Sequence, residues 1–427
     1  MNMLIFYLIF VIYQIATLLL LPFLCIYLAI RKIKKKTVFG NIAHRFGLIP
    51  TAPKNKQIIW FHAVSAGEVL SLEYVIKQLQ SNNSIHCYLT VGTLTGYQLA
   101  IKNIPNISLA YLPYDFLPCI ILAWLRINPY KIIITEAELW PNLIMTLTIL
   151  KIPCTLINAR VNIKQSLTQW IYQHSIAHLF KCFKTIYTQD QQSLNFIRQY
   201  AQQTTTLELG GTTKSFNVLK KVDHFKATKK TLTKNNYTVL LVGSCHPGEL
   251  GIYLKLYKTL KLSINNLKLL IVPRHFSWKA DFTKACVDHN LSSLIIDDQK
   301  NYSNLDAHIA SHDITSVFLM GTLFELYPIA TLFFLGGTWV PIGGHNILEP
   351  IAWQIPSIVG PDYHTSTELI NTLEAQRAVF IAKNEIELES ICLSLLKNNA
   401  LQEQTAHNAT ALLQKEAAQT TLIINKL

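Results

Sequence analysis

From residue 57 onward, short apolar runs alternate with amphipathic stretches, and this alternation limits the folds open to the chain more than any single motif does. In the first half Gln57–Ala63, Ile85–Val91, Ile132–Glu136 and Cys154–Asn158 read as strands, with helical stretches such as Glu68–Leu79 and Trp140–Leu150 between them. The second half repeats the rhythm in Val239–Gly243, Leu267–Pro273, Leu294–Ile296, Thr315–Leu319, Leu332–Gly336, Pro356–Val359 and Ala378–Ile381. Strands that are apolar throughout, rather than on alternate residues, belong to parallel sheets covered on both faces by helices. Two doubly wound α/β domains are therefore expected. Ligands of such sheets bind at the carboxyl ends of the strands, here across a cleft shared by the two domains. Between the halves Thr204–Ser215 is rich in Thr and Gly and Lys220–Asn236 is basic and polar, so the expected division is a first domain over 37–215, a linker over 216–235 and a second domain over 236–427.

The start of the chain has a different character. Leu4 to Ile30 carries no charged side chain, and the basic cluster of residues 31–36 follows it. A helix of that length would be ~40 Å long, against a hydrocarbon core of ~30 Å. A cleaved signal peptide carries its charge before the apolar run, not after it. The order read here predicts a single-pass anchor over 1–36, with the rest of the chain on the cytoplasmic side. The alternative is a buried helix of the folded domain.

Composition narrows the function. The 427 residues are 50% hydrophobic and 15% charged, which excludes a disordered chain. Lys and Arg number 38 against 25 Asp and Glu, a net charge of +13 that points to an anionic partner. Basic residues are dispersed and no nucleic-acid-binding signature occurs, so nucleic acid is not the expected partner. Neither G-x-G-x-x-G nor G-x-x-x-x-G-K-[ST] is present, which removes the main support for a dinucleotide dehydrogenase or a P-loop NTPase. The eight cysteines contain no C-x-x-C, so neither a disulfide framework nor a zinc site is expected.

Five segments can carry chemistry. In His62-Ala63-Val64-Ser65-Ala66-Gly67-Glu68 a strand runs into a turn and a helix; Ser65 and Glu68 form an S-x-x-E capping box, or Glu68 takes a proton from a substrate hydroxyl. Glu136 and Glu138 precede Trp140-Pro141 at another strand-to-helix turn, where a pair of helix-capping acids is the structural alternative. Gly210-Gly211-Thr212-Thr213-Lys214 either presents a lysine to the cleft or is a solvated turn. Pro273-Arg274 ends an apolar strand, where an arginine grips phosphate or merely faces solvent. Gly336-Gly337-Thr338 and Gly343-Gly344-His345-Asn346-Ile347-Leu348-Glu349-Pro350 allow close approach of backbone to ligand, and Glu349 can accept from a ribose diol.

Together HAVSAGE (62–68), EAELWPN (136–142), INAR (157–160), VPRH (272–275) and GGHNILEP (343–350) resemble the 3-deoxy-D-manno-octulosonic acid (Kdo) transferase family of lipopolysaccharide synthesis, in order and over nearly the whole chain. The resemblance implies a glycosyltransferase B-type fold, two Rossmann-like domains facing a cleft, behind a helix that anchors them to the bacterial inner membrane with the catalytic domains on the cytoplasmic side. It implies transfer of Kdo from CMP-Kdo to the lipid A precursor (lipid IVA) by an inverting displacement, with no metal and no cofactor. Glu68 would be the general base, with Glu138 and Lys214 stabilising the transition state. Pro273, Arg274, Met320, Gly321, Thr322, Asn346, Ile347, Leu348 and Glu349 would hold CMP. The family commonly has Glu where this chain has Thr322, an aromatic residue and Asp soon after the lysine matching Lys214, and Leu-Ser in place of Val161-Asn162. Two other functions compete: a B-type glycosyltransferase using another nucleotide sugar, and a tethered nucleotide-binding module without catalysis.

Overall fold

The computed structural model describes residues 3–33, 40–136, 138–161, 176–228, 232 and 237–427. Within them fourteen strands form two seven-stranded sheets, and every paired neighbour is parallel. The first contains β1 (Gln57–Ala63), β2 (Ile85–Val91), β3 (Ser108–Tyr111), β4 (Lys131–Thr135), β5 (Cys154–Ala159), β6 (Thr185–Thr188) and β7 (Thr206–Leu209), in the order β3-β2-β1-β4-β5-β6-β7. The second contains β8 (Thr238–Cys245), β9 (Leu267–Pro273), β10 (Ser293–Ile296), β11 (Ile314–Val317), β12 (Leu332–Leu335), β13 (Ser357–Val359) and β14 (Phe380–Ile381), in the order β10-β11-β9-β8-β12-β13-β14. The helices that matter below are α1 (Met3–Ile33), α2 (Ala66–Gln80), α3 (Pro141–Ile149), α4 (Thr213–Thr228), α5 (Leu250–Lys261), α6 (Leu348–Ala352) and α7 (Asn399–Lys426).

The two-residue period of a strand explains why the apolar runs are continuous. On β1, Ile58 and Trp60 enter one hydrophobic cluster, while Ile59, Phe61 and Ala63 enter another. On β8, Val239 and Leu241 face one way and Leu240, Val242 and Cys245 the other. Helices supply the covering layers: α2 buries Val69, Leu72, Val75, Ile76 and Leu79, all on one helical face. Full burial of one such aliphatic side chain contributes ~1.5–3 kcal/mol.

The chain divides into two units, residues 1–217 with 416–427 and residues 218–415. The linker expected over 216–235 is helical through Thr228 as part of α4; of its remainder, 229–231 and 233–236 lie outside the described residues. The carboxyl-terminal residues return to the first unit, where Ile423 and Ile424 join the cluster of Phe61 and Leu72. Lys426 pairs with Glu208 at 2.8 Å.

The amino terminus requires a correction. Among the described residues no helix is long and apolar enough to cross a membrane, so the single-pass anchor, and with it the inner-membrane placement, is not supported. Lys34, Lys35 and Lys36 of the basic flank lie outside the described residues. The polar side chains in the middle of α1 give the physical reason: they are engaged by protein. The Tyr13 hydroxyl donates to Asp115 Oδ2 at 2.9 Å, the Gln14 amide donates to Asn142, and Phe10 packs against the core of the first unit.

Asp115 is the hub of that junction. Its buried carboxylate also accepts from the Asn142 and Leu143 amides at 2.9 Å each, capping α3, which has no side-chain cap of its own. Replacing Asp115 with Ala leaves two buried amides without acceptors. Asp115→Ala should therefore lower the stability of the first unit by about 2 kcal/mol in denaturant unfolding, and Tyr13→Phe by about 1 kcal/mol or less.

Candidate active site

In the first sheet the strand order reverses between β1 and β4, the position where an open α/β sheet leaves a crevice at its carboxyl edge. Glu68 follows β1, and Glu136 and Glu138 follow β4. Ser65 caps α2: its Oγ accepts from the Glu68 amide at 3.2 Å, while Glu68 Oε1 accepts from the Ser65 amide at 3.1 Å and Oε2 from the Val64 amide at 2.8 Å. Glu68 is 3% exposed. Burial pushes its carboxyl above the ordinary value, the hydrogen bonds of Ser65 and Val64 oppose this, and the Glu136 charge adds to it. Glu138 is raised further, to about 7, by burial and then by the charge of Glu68; the Trp140 indole opposes the rise and Glu136 adds to it. Ala137, between the two acids, lies outside the described residues.

Lys214 faces this acidic group at the start of α4, and its Nζ lies 3.3 Å from Glu136 Oε1. Asn158 on β5 sets that helix start: its Oδ1 accepts from the Thr213 amide at 2.9 Å and its Nδ2 donates to Thr213 Oγ1 at 2.8 Å. Thr213 in turn donates to the Ser71 carbonyl of α2 at 2.7 Å. Glu136 of EAELWPN and Asn158 of INAR thus meet at the amino end of α4, which also touches α2 at Ser71.

In the second sheet the order reverses between β8 and β12. A cavity of about 420 Å³ opens at the carboxyl ends of these strands and of β9. Pro273, Arg274, Met320, Gly321, Asn346 and Glu349 line it, together with Ser244 and His345. Glu349 Oε1 pairs with Lys221 Nζ at 2.7 Å, and the buried Tyr327 hydroxyl donates to Glu349 Oε2 at 3.4 Å. Gly336 needs its lack of a side chain: a Cβ there would stand 2.3 Å from the Ser244 carbonyl oxygen.

The family model described as 3-Deoxy-D-manno-octulosonic-acid transferase (kdotransferase) matches residues 40–217. A 3-deoxy-D-manno-octulosonic acid transferase of Aquifex aeolicus (strain VF5) is 31% identical over 344 residues, covering 80% of this chain and 86% of the relative. The chain belongs to the 3-deoxy-D-manno-octulosonic acid transferase family. The corresponding transferase of Haemophilus influenzae is 27% identical over 399 residues, 90% of each chain. The solved UDP-GlcNAc 2-epimerase from Neisseria meningitidis bound to UDP-GlcNAc aligns with a TM-score of 0.57 at 13% identity, over 84% of this chain and 99% of that one, a likeness of fold alone. Membership in the family makes the chain a glycosyltransferase and carries Kdo transfer in lipopolysaccharide synthesis.

Three residues that the family pattern would assign to the nucleotide lie off the cavity wall. Ile347 and Leu348 are packed in the core of the second unit, and Thr322 is buried with its hydroxyl donating to the Leu319 carbonyl at 2.9 Å. Asn346 lines the cavity while its Oδ1 accepts from the Leu348 amide at 3.1 Å at the start of α6. Met320 is 79% exposed. Lys214 contacts Glu136 rather than Glu138. Among the described residues no group of three or more His, Cys, Asp or Glu is placed to hold a metal ion.

Two site-building residues escape the sequence reading. Asn158 sits inside INAR, where only its type hints at a turn. Glu249 follows β8 and is 0% exposed. Its Oε2 accepts from the His246 and Gly337 amides at 2.9 and 2.8 Å, and its Oε1 from the Thr338 and Trp339 amides at 3.0 Å each. The spacing His246-Pro247-Gly248-Glu249 repeats that of Ser65-Ala66-Gly67-Glu68 and is the signal that could have found it.

The raised Glu138 has a consequence for stability. The folded chain holds this proton up to about pH 7, the unfolded chain only to about 4.5, so stability present at low pH is lost as pH rises through that window. Glu138→Gln cannot ionise and should be the more stable protein above pH 7, by an amount of order 1 kcal/mol allowing for partial solvent screening. Urea unfolding on both sides of the window should show the difference vanish below the ordinary carboxylate range. Because the Glu68 charge couples to Glu138, the transition in the wild type should be broad.

Proposed function

We propose that the chain transfers Kdo from CMP-Kdo to the lipid A precursor (lipid IVA) by an inverting displacement, with Glu68 as general base. The observation that carries this reading is the convergence of six of the nine residues of the family's donor pattern on one cavity, in a chain of the Kdo transferase family. In the proposed step Glu68 takes the proton of the acceptor hydroxyl as its oxygen bonds to the anomeric carbon, and CMP departs with the electron pair of the broken bond. Both Glu68 oxygens already accept an amide, yet each keeps a second lone pair for the acceptor hydroxyl. Those amides hold the carboxylate in place, as preorganised catalysis requires. Arg274 and the glycine-flanked backbone of the cavity suit the negative charge that develops on the phosphate, and Glu349 suits ribose hydroxyls. Lys214 and Glu138 assist the transition state. CMP-Kdo is a substrate in this scheme, and no cofactor enters it.

Incubating the purified chain with CMP-Kdo and tetra-acylated lipid A precursor should give Kdo-bearing product by mass spectrometry. Activity with a UDP-sugar alone would sink the reading. A second assignment of the base, to Glu138, is favoured by its value of about 7, which is better matched to proton transfer at neutral pH.

Two variants decide between cap and base. Glu68→Gln keeps one amide acceptor, so it should cost about 1 kcal/mol of stability, leave CMP affinity nearly unchanged and slow transfer by ~10²-fold or more. A Glu68→Gln protein that transfers Kdo at the wild-type rate would reduce Glu68 to a cap, and Glu138→Gln should then show the catalytic loss instead.

A further inference from the structure

The Lys214 side chain is half-exposed and its four-carbon stem is flexible, so the fold can fix only the point from which it reaches. That point is set from β5. The buried Asn158 side chain turns both its ends on Thr213, the first residue of α4: Oδ1 accepts from the Thr213 amide and Nδ2 donates to the Thr213 hydroxyl. The first amides of a helix have no partner within it, and here another element fills the gap. Thr212 Oγ1 accepts from the next amide, that of Lys214, at 3.2 Å.

The other end of the ion pair hangs from the same place. The Glu136 amide donates to the carbonyl of Ile157, the residue before Asn158. Two consecutive residues of one strand thus carry both Glu136 and the start of the helix that bears Lys214, whose charged atoms stand 3.3 Å apart. The network continues into α2. The Thr213 hydroxyl donates to the Ser71 carbonyl, which also accepts from the Asn217 amide group, and the Ser71 hydroxyl donates to the Glu68 carbonyl at 2.7 Å. The first turn of α4 cannot shift without breaking several of these buried bonds together.

We propose that Asn158 is a positioning residue for the transfer reaction, which holds Lys214 at the acidic group by fixing the first residue of α4. This rests on the reading of Lys214 as a group that assists the transition state. Asn158 meets no reacting atom in this scheme. It acts through Thr213, and its effect on the rate exists only while the Lys214 ammonium is there to be placed.

A double-mutant cycle on the full chain, read as transfer from CMP-Kdo, tests this. Lys214→Ala should slow transfer by ~10²-fold, as removal of one preorganised charge-stabilising group does. Asn158→Gly keeps the left-handed backbone at φ 54° without strain, and should lower kcat by ~10-fold with KM nearly unchanged. Added to Lys214→Ala, it should cause no further loss, whereas a merely structural role would cost the same factor in both backgrounds. Thr213 supplies a second test, which decides alone should Asn158→Gly not fold. Thr213→Ser keeps the hydroxyl and loses a methyl group, so it should transfer at nearly the wild-type rate. Thr213→Val keeps the shape and loses the hydroxyl, and should be ~10-fold slower; a packing role predicts the reverse order. Asn158→Gly at the wild-type rate, an equal loss in both backgrounds, or a Thr213→Val at least as active as Thr213→Ser would overturn the proposal. Lys214→Ala at the wild-type rate would refute the reading of Lys214 and the proposal with it, and a wild-type chain that transfers no Kdo would refute the reaction on which both stand.

Discussion

The carboxylate of Glu249 is the interaction on which the cavity of the second unit depends. It is wholly buried and accepts four backbone amides, from His246 at the end of β8 and from Gly337, Thr338 and Trp339 after β12. These two strands are neighbours at the point where the sheet order reverses. A buried charge is tolerated only when its lone pairs are filled, and here the backbone fills them without a cationic partner. The same bonds close the loops over the strand ends and so create the rim of the cavity. Removing this carboxylate would strand several amides together, each costing ~1–3 kcal/mol.

Each unit repeats the device with a different outcome. Ser65-Ala66-Gly67-Glu68 and His246-Pro247-Gly248-Glu249 both follow the first strand of their sheet, and both glutamates close a capping box. Glu249 spends all its capacity on amides. Glu68 receives two and stands near Glu136, whose charge adds to the cost of its ionisation. The cap of Glu68 thus fixes the orientation of its carboxylate and leaves lone pairs on it uncommitted. Glu249, identically spaced, is left with structure alone.

The sequence made the sheets legible because both faces of each strand are buried, which forces continuous apolar runs such as Ile132–Ile134 and Leu269–Val272. It concealed β3, β6 and β7, which have four residues each and include Ser108, Thr185, Thr188 and Thr206, too short and too polar for periodicity to show. It misled at α1, where an uncharged run resembles a lipid-facing helix although Tyr13 and Gln14 find partners on the protein. Segments carrying the candidate site were found by their types and spacing, but not the roles within them. Ile347 and Leu348 belong to the core, and the spacing of Glu249 hints at a cap but not at the three amides from after β12 that it gathers in space.

Backbone strain marks the same places from another direction. Glu136, Asn158 and Ser244 take φ of 59°, 54° and 59°, a left-handed conformation that costs non-glycine residues of order 1 kcal/mol or more each. Each stands at the carboxyl end of a strand beside a reversal of sheet order or next to it, and pairing slips by a residue at Asn158 on β5 and at Ser244 on β8. Bulges of this kind re-aim the chain where a strand meets a site. The cost is offset locally: the Glu136 amide bonds the Ile157 carbonyl at 2.9 Å, and Asn158 spends its side chain on Thr213. Ser244 brings its carbonyl against Gly336, which only a residue without Cβ permits. A regular strand at these positions would carry the following residues straight on past the sheet edge. The strained turns instead turn the chain at the strand ends, which ties the local geometry around Glu138 in the first unit and around Ser244 in the second to three unfavourable torsions that the surrounding hydrogen bonds hold in place.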